Sequence, residues 1–342
     1  MTVVWNTVLL SLAFGICAMA VLVGAASDPA ANDGFLLVAN KGDQSLSIVD
    51  PQSGSEVARV PVGGTTGHEV AASPDGQSAW VPIYGNSGVG KPGTDGQSVS
   101  VIDLKTRARV AEIDLGVPTR PHEPVFGPDG KLYVTAELTQ SIKVIDPASR
   151  KIVGEIPTGA SESHMMVLSH DGKRAYTANV GPGTVSVIDV PGREVITTIH
   201  VSRTVQRIAM SADGRWVFTA DQTKPQIAVI DTQTNKVDGW IPVPDLGYGM
   251  AATGDGTRLV IAHPGANAVS IVDLQSKKVL HTVKVSAAPQ EVLLRPDGRV
   301  AYVSCDASKQ IAVIDLSNGE LEKFIAVGPG ADGLAWTAKA HQ

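Results

Sequence analysis

The chain repeats itself, and the repeat spacing limits what it can fold into. Val-Ile-Asp, or its inverted form Ile-Val-Asp, ends at Asp50, Asp103, Asp146, Asp189, Asp231, Asp273 and Asp315. The successive intervals are 53, 43, 43, 42, 42 and 42 residues. A second anchor, Asp-Gly, recurs at Asp75, Asp129, Asp171, Asp213, Asp255 and Asp297. A period near 42 with no helical spacing of apolar residues points to radial β-sheets and away from helical solenoids. Gly and Pro together number 56, which supplies the turns that short strands need.

Each unit reads as four short strands. In the third unit these are His122 to Pro128, Lys131 to Ala136, Ser141 to Asp146 and Lys151 to Pro157, with a tight turn at Asp129-Gly130. The segments are rich in Val, Ile and Thr, as pleated strands prefer. A four-stranded antiparallel sheet cannot bury both faces alone, but in a ring each covers its neighbour. The first unit starts at Phe35-Leu36-Leu37-Val38-Ala39, which aligns with the second strand of the other units. The chain closes on Asp332-Gly333-Leu334-Ala335-Trp336-Thr337, an inner strand with no strand after it. The sequence therefore predicts an all-β, seven-bladed β-propeller of four-stranded antiparallel blades, closed 3+1 by pairing of the C-terminal strand with the N-terminal blade. The expected organisation is an export segment at 1–26, a linker at 27–33, the propeller at 34–338 and a tail at 339–342.

Leu132-Tyr133-Val134-Thr135, Ala175-Tyr176-Thr177-Ala178-Asn179 and Ala301-Tyr302-Val303-Ser304, with the Ser-x-x-Val-Ile-Asp that follows and Ser73-Pro74-Asp75-Gly76, resemble the motif of the YVTN-repeat propellers. The resemblance spans roughly residues 34–337. It implies the fold more than the function. Similar repeats occur in surface-layer and periplasmic proteins and, more distantly, in lactonases and the haem-bearing propeller of dissimilatory nitrite reductases. A shared fold hosts many chemistries.

Val8 to Ala26 is a run of 19 residues without charge, ending in small residues before Ser27-Asp28-Pro29. This reads as a cleaved signal peptide, or as a retained anchor, since the run is just long enough to span a bilayer. An exported protein, periplasmic or secreted, is expected, touching membrane only through that segment if it stays. The cysteines are Cys17 and Cys305, so the exported body has no internal disulfide and must hold together by packing. A formal charge of −6 without a basic cluster disfavours nucleic acid. A monomer is expected.

Alignment on Asp-Gly isolates the candidate site. Seven residues before each Asp stand His68, His122, His164, Gln206, Tyr248 and Gln290, and Asp332 fills the same slot in the terminal strand. The next slot holds Glu69, Glu123, Met165, Arg207, Gly249, Glu291 and Gly333. Inner strands surround the propeller axis, so these side chains should converge at one mouth of the central channel. One reading is a polar lining for a wet channel. The sharper one is a binding site formed by His68, Glu69, His122, Glu123, His164, Gln206, Arg207, Tyr248, Gln290, Glu291 and Asp332. There His68, His122 and His164 are candidate ligands for a transition metal such as zinc or copper. The enlarged second repeat carries a loop at 84–97 that should overhang this mouth. His263 and Cys305 share another slot, where a second metal site or a buried thiol beside a solvated histidine are the alternatives.

No Gly-x-Ser-x-Gly, His-Glu-x-x-His or phosphate loop occurs. Three functions remain. The first is an envelope binding or scaffold protein for a metal, small ligand or partner protein. The second is a lactonase- or lyase-like enzyme with a channel-mouth histidine as general acid or base. The third is a redox-associated propeller with non-covalent haem, since no Cys-x-x-Cys-His is present.

Overall fold

The computed structural model describes residues 33–338, besides Met1. The export segment, almost all of the linker and the tail lie outside the described residues, as does Cys17. Among the described residues the strands form seven four-stranded sheets, each antiparallel throughout. The predicted seven-bladed propeller is the observed fold. Blade 1 is the composite one, ordered Ala331–Ala338, Gly34–Asn40, Ser45–Asp50, Ser55–Pro61. Its closing pair sets Leu36 against Trp336, Leu37 against Ala335 and Val38 against Leu334.

Seven apolar clusters fill the spaces between the blades. Consecutive residues of one strand serve different clusters because side chains alternate across a pleat. Leu37 packs towards blade 2 with Val70, Val81 and Ile102. Leu36 packs towards blade 7 with Tyr302, Val313 and Ile325. Among the described residues no helix is long and apolar enough to cross a membrane.

The repeated aspartates terminate strands. Asp50, Asp146, Asp231 and Asp315 each accept a backbone N–H from two residues on, and Asp103, Asp189 and Asp273 accept one from three residues on. They form no acidic array. The Val-Ile pair before each Asp carries a register shift against the outermost strand in all seven blades. The repeat therefore encodes a β-bulge as well as a turn, and bulges sharpen local twist.

A second irregularity positions the site. In blade 3 the inner-strand register jumps from Pro121 to Pro124, leaving His122 and Glu123 outside the regular ladder. The same jump excludes Gln206 and Arg207 in blade 5, and Gln290 and Glu291 in blade 7. The Thr or Ser of the repeat motif satisfies the freed backbone. Thr135 Oγ1 accepts from Glu123 N at 2.9 Å, Ser304 Oγ accepts from Glu291 N at 3.0 Å, and Thr219 Oγ1 donates to Arg207 O at 2.7 Å.

Ring closure gives a stability prediction. Leu37 is fully buried in the composite blade. Leu37→Ala should cost about 2–5 kcal/mol, measured as a lower urea midpoint with an unchanged slope.

Candidate functional site at the channel mouth

The bulged slots converge as two linked groups. On the arc of blades 2 to 4 lie the three histidines. His122 and His164 rings sit 3.6 Å apart, tilted by 34°, and His68 meets His122 edge-on at 5.3 Å. Tyr84, from the second strand of blade 2, packs among them at 4.7, 5.2 and 5.8 Å from His68, His122 and His164. His122 and His164 are buried, and His68 is partly exposed.

Burial keeps these imidazoles neutral by penalising the charged form. It lowers His68 to about 4 and carries His122 well below the usual histidine range, with neighbouring imidazoles adding to the effect. His164 is also lowered by burial, partly offset by Glu137. His122 Nδ1 and His164 Nδ1 are buried without a hydrogen-bond partner. The nearest acid to His164 Nδ1, Glu137 Oε2, is 3.8 Å away, beyond hydrogen-bond reach.

The second group is ionic and centres on Arg207 of blade 5. Its guanidinium donates to Glu69 of blade 2 at 2.7 Å, Glu291 of blade 7 at 2.5 Å and Asp332 of blade 1 at 3.2 Å. Tyr248 lies beneath it, 4.8 Å from ring centre to guanidinium carbon, and accepts a 2.8 Å hydrogen bond from Gln206. Asp332 also pairs with Lys41 Nζ at 3.0 Å. Burial would raise Asp332, but Lys41 and Arg207 outweigh it and hold it low. Burial raises Glu69 and Glu291 despite Arg207. Glu123 has no such partner. Its Oε2 is buried and unbonded, and burial followed by repulsion from Glu291 pushes its pKa up to about 8.

Glycines let these blades approach. A Cβ on Gly333 would collide with the Glu69 carboxylate and lie 2.7 Å from the His68 carbonyl. One on Gly249 would strike the Gln290 carbonyl. The glycine N–H groups instead donate to those carbonyls, Gly333 to His68 at 2.8 Å and Gly249 to Gln290 at 3.0 Å.

The insertion in blade 2 is shorter than the expected 84–97 loop. Strands Ser78–Gly85 and Asp95–Asp103 extend into both ends of that range, because Gly85 pairs with Asp95. Residues 86–94 are held against the histidine arc by Arg120, which donates to Asp95 at 2.6 Å, Glu137 at 3.1 Å and the Lys91 carbonyl at 2.7 Å. Glu137 accepts from Gly90 N at 3.2 Å and from the Tyr84 hydroxyl. Burial would raise Glu137, but His164, Tyr84 and Gly90 together hold it below the usual range.

Of the predicted residues, ten join one or the other group. Gln290 turns back onto its own loop, donating to the Ala288 carbonyl at 3.4 Å. The three histidines meet, yet they do not offer three ring nitrogens within 4.8 Å of one another. Among the described residues, the three metal-type donors at that spacing belong to Glu69, His122 and Glu123. Of the alternative pair, His263 is fully buried and not solvated as expected, and Cys305 is a buried thiol. His263 bonds Ser270 Oγ at 2.9 Å and the Leu246 carbonyl at 3.2 Å, while burial raises the Cys305 thiol to about 11. Tyr84, Lys41, Arg120 and Glu137 escape the inner-strand alignment because they stand elsewhere in the repeat.

Among the described residues, clefts of about 570, 370, 400 and 450 Å³ open between neighbouring blades, with linings that do not include His68, His122 or His164. Residues 126–253 match the family described as the cytochrome D1 heme domain. That stretch includes His164, Gln206, Arg207 and Tyr248, but not His68 or His122. No curated protein matches. Among solved structures, Kuenenia stuttgartiensis hydrazine synthase is similar with a TM-score of 0.73 and 24% identity, over 84% of this chain and 94% of that one. A functionally unknown protein from Desulfotomaculum acetoxidans DSM 771 is similar with a TM-score of 0.72 and 13% identity, over 89% and 98%. At these identities the likeness is one of fold.

Arg207→Met should leave Glu69 and Glu291 buried without their cation, Asp332 keeping Lys41, at a cost of about 3–5 kcal/mol. Their folded pKa values would then lie further above the unfolded ones, near 4. The native state would hold more protons than the unfolded state, so stability would fall as pH rises. Urea titrations should find the variant's deficit larger at about pH 8 than at about pH 5.

Proposed function

We propose that this chain is an exported binding propeller that takes a small polar or metal-bearing ligand on the histidine arc of its channel mouth. One observation carries the reading. Two ring nitrogens, on His122 and His164, are buried with no hydrogen-bond partner, the latter 3.8 Å from Glu137. A mouth needing only a filler would not leave them so, because an unpaired buried polar atom costs about 1–3 kcal/mol. On the opposite arc Arg207 meets three carboxylates, and its Nε is the one atom of that guanidinium left buried without a partner.

The chemistry of the arc follows from its protonation. Neutral imidazoles accept hydrogen bonds or donate a lone pair to a metal. His68, the partly exposed ring, bonds Thr66 Oγ1 at 3.2 Å and stands on the open side. Residues 86–94 wall the other side, tied to Arg120 and Glu137. A ligand entering past His68 would meet imidazoles already deprotonated at neutral pH, so binding would require no proton release from them. The export assignment rests on the apolar N-terminal run and remains part of the same proposal.

The match to the cytochrome D1 heme domain favours a second reading, a redox-associated propeller. Haem, the group it implies, does not suit the histidine arc. His122 has His164 stacked 3.6 Å away and the Tyr84 and His68 rings edge-on at 5.2 and 5.3 Å. The carboxylates Glu69, Glu123, Glu291 and Asp332 would also face the acidic side chains of a haem. This packing suits a smaller occupant.

The test is a thermal-shift panel of small polar ligands and metal salts on the wild type and on a His68→Ala/His122→Ala/His164→Ala variant. A ligand at 100 times its Kd should stabilise the wild type by about 2.7 kcal/mol and leave the folded variant unshifted. An unfolded triple variant, or equal shifts in both proteins, overturns the reading. Soret absorption in the purified protein would overturn it in favour of haem.

A further inference from the structure

We infer that Glu69, His122 and Glu123 form a binding site for one divalent transition-metal ion, at the junction of blades 2 and 3. The inference deepens the channel-mouth reading by naming an occupant and its ligands.

Three observations converge. First, each residue offers one donor atom, and all three atoms lie within 4.8 Å of one another. An ion with bonds of about 2.1 Å in tetrahedral geometry needs donors about 3.4 Å apart, so a small inward rotation would close the set. Second, this triad holds two of the unpaired atoms of the mouth. His122, 1% exposed, leaves Nδ1 without a hydrogen bond, and Glu123 leaves Oε2 buried and unbonded. Third, acidic groups outnumber cations here. Four carboxylates, Glu69, Glu123, Glu291 and Asp332, share the cations Arg207 and Lys41. Arg207 is spent on Glu69, Glu291 and Asp332, and among the described residues Glu123 has no ion pair. A divalent cation would supply the missing positive charge where the partners are missing.

The donor set narrows the ion. One imidazole suits zinc, iron, copper or nickel, and two carboxylates favour a harder ion such as manganese. The mixed set fits zinc, iron(II) or manganese(II) and leaves at least one position open to water or ligand. His164, stacked on His122, would fix the ring that binds. Glu69 would keep its hydrogen bond to Arg207 through Oε1 and so be oriented from behind. His68 and His164 stand beside the ion as neutral imidazoles.

The experiment uses the full chain, stripped with chelator and titrated with zinc and with manganese(II) in competition with a chromophoric chelator. One ion per chain is expected. Glu123→Gln and His122→Gln should each weaken binding at least about tenfold, since even changes outside the ligand shell do so by 10–100-fold. His281→Ala, an exposed histidine far from the mouth, should change nothing. Glu123→Gln keeps the shape and puts no charge in the site, so it should melt no lower than the stripped wild type. If His122→Gln fails to fold, Glu123→Gln still decides. Absence of binding, or equal binding by wild type and Glu123→Gln, overturns the site. A wild type that binds no metal but shifts with an organic ligand overturns this site alone. One that binds metal through these residues but shifts with no organic ligand leaves the ion as the sole occupant.

Discussion

The antiparallel pairing of Gly34–Asn40 with Ala331–Ala338 makes one sheet from the two ends of the described chain, and the rest of the molecule depends on it. Strands of two to nine residues in separate sheets have little to hold them individually. Closed into a ring, every sheet face has a partner, and the seven apolar clusters become one cyclic core. Closure also fixes angle. Once seven units must share one circle, equal positions in the repeat occupy equal positions around the axis. Side chains 138 residues apart, Glu69 and Arg207, then meet within 2.7 Å.

What converges at the axis must also be neutralised there. Arg207 resolves this for three blades with one planar group, whose several N–H donors suit carboxylates held at different angles. A network of this kind is weak evidence for stability, because desolvation offsets much of the attraction. Its structural effect is to fill the axis and orient Glu69, Glu291 and Asp332. Glu123 falls outside Arg207's reach, and its carboxyl is the one left on the histidine side.

Much of this was legible before any coordinates. The interval between Val-Ile-Asp anchors gave the blade number, the unmatched first and last strands gave the closure, and Asp-Gly alignment gave the residues around the mouth. Register, however, specifies angle and height but not how far a side chain reaches inward. Three histidines in one slot suggested a three-nitrogen centre, whereas ring stacking of His122 on His164 and the adjoining slot bring two glutamates and one imidazole together. The surrounding support was less legible still. Tyr84 and Glu137 stand at the ends of second strands, Lys41 follows one, and Arg120 precedes an inner strand. Each enters through tertiary packing that no alignment of inner strands contains. Gly249 and Gly333 did appear in the alignment, and their meaning, room for a neighbouring backbone, emerges only when that neighbour is placed.

The departures from sevenfold regularity are not spread evenly. The inserted residues 86–94, the three imidazoles, Tyr84 and the Arg120–Glu137 pair all fall on blades 2 to 4. Blades 5, 7 and 1 carry Arg207, Glu291 and Asp332, which satisfy one another, and Arg207 reaches across to Glu69 of blade 2. A ring built only to be stable would have reason to satisfy both arcs alike, since an unpaired buried atom costs the same wherever it sits. Here one arc is hydrogen-bonded nearly to completion. The other keeps open nitrogens and an unpaired carboxylate behind a pinned loop. The satisfied arc acts as the brace, and its Arg207 holds Glu69 in place for the unsatisfied one. The asymmetry of polar satisfaction, more than the presence of histidine, is what the binding proposal rests on.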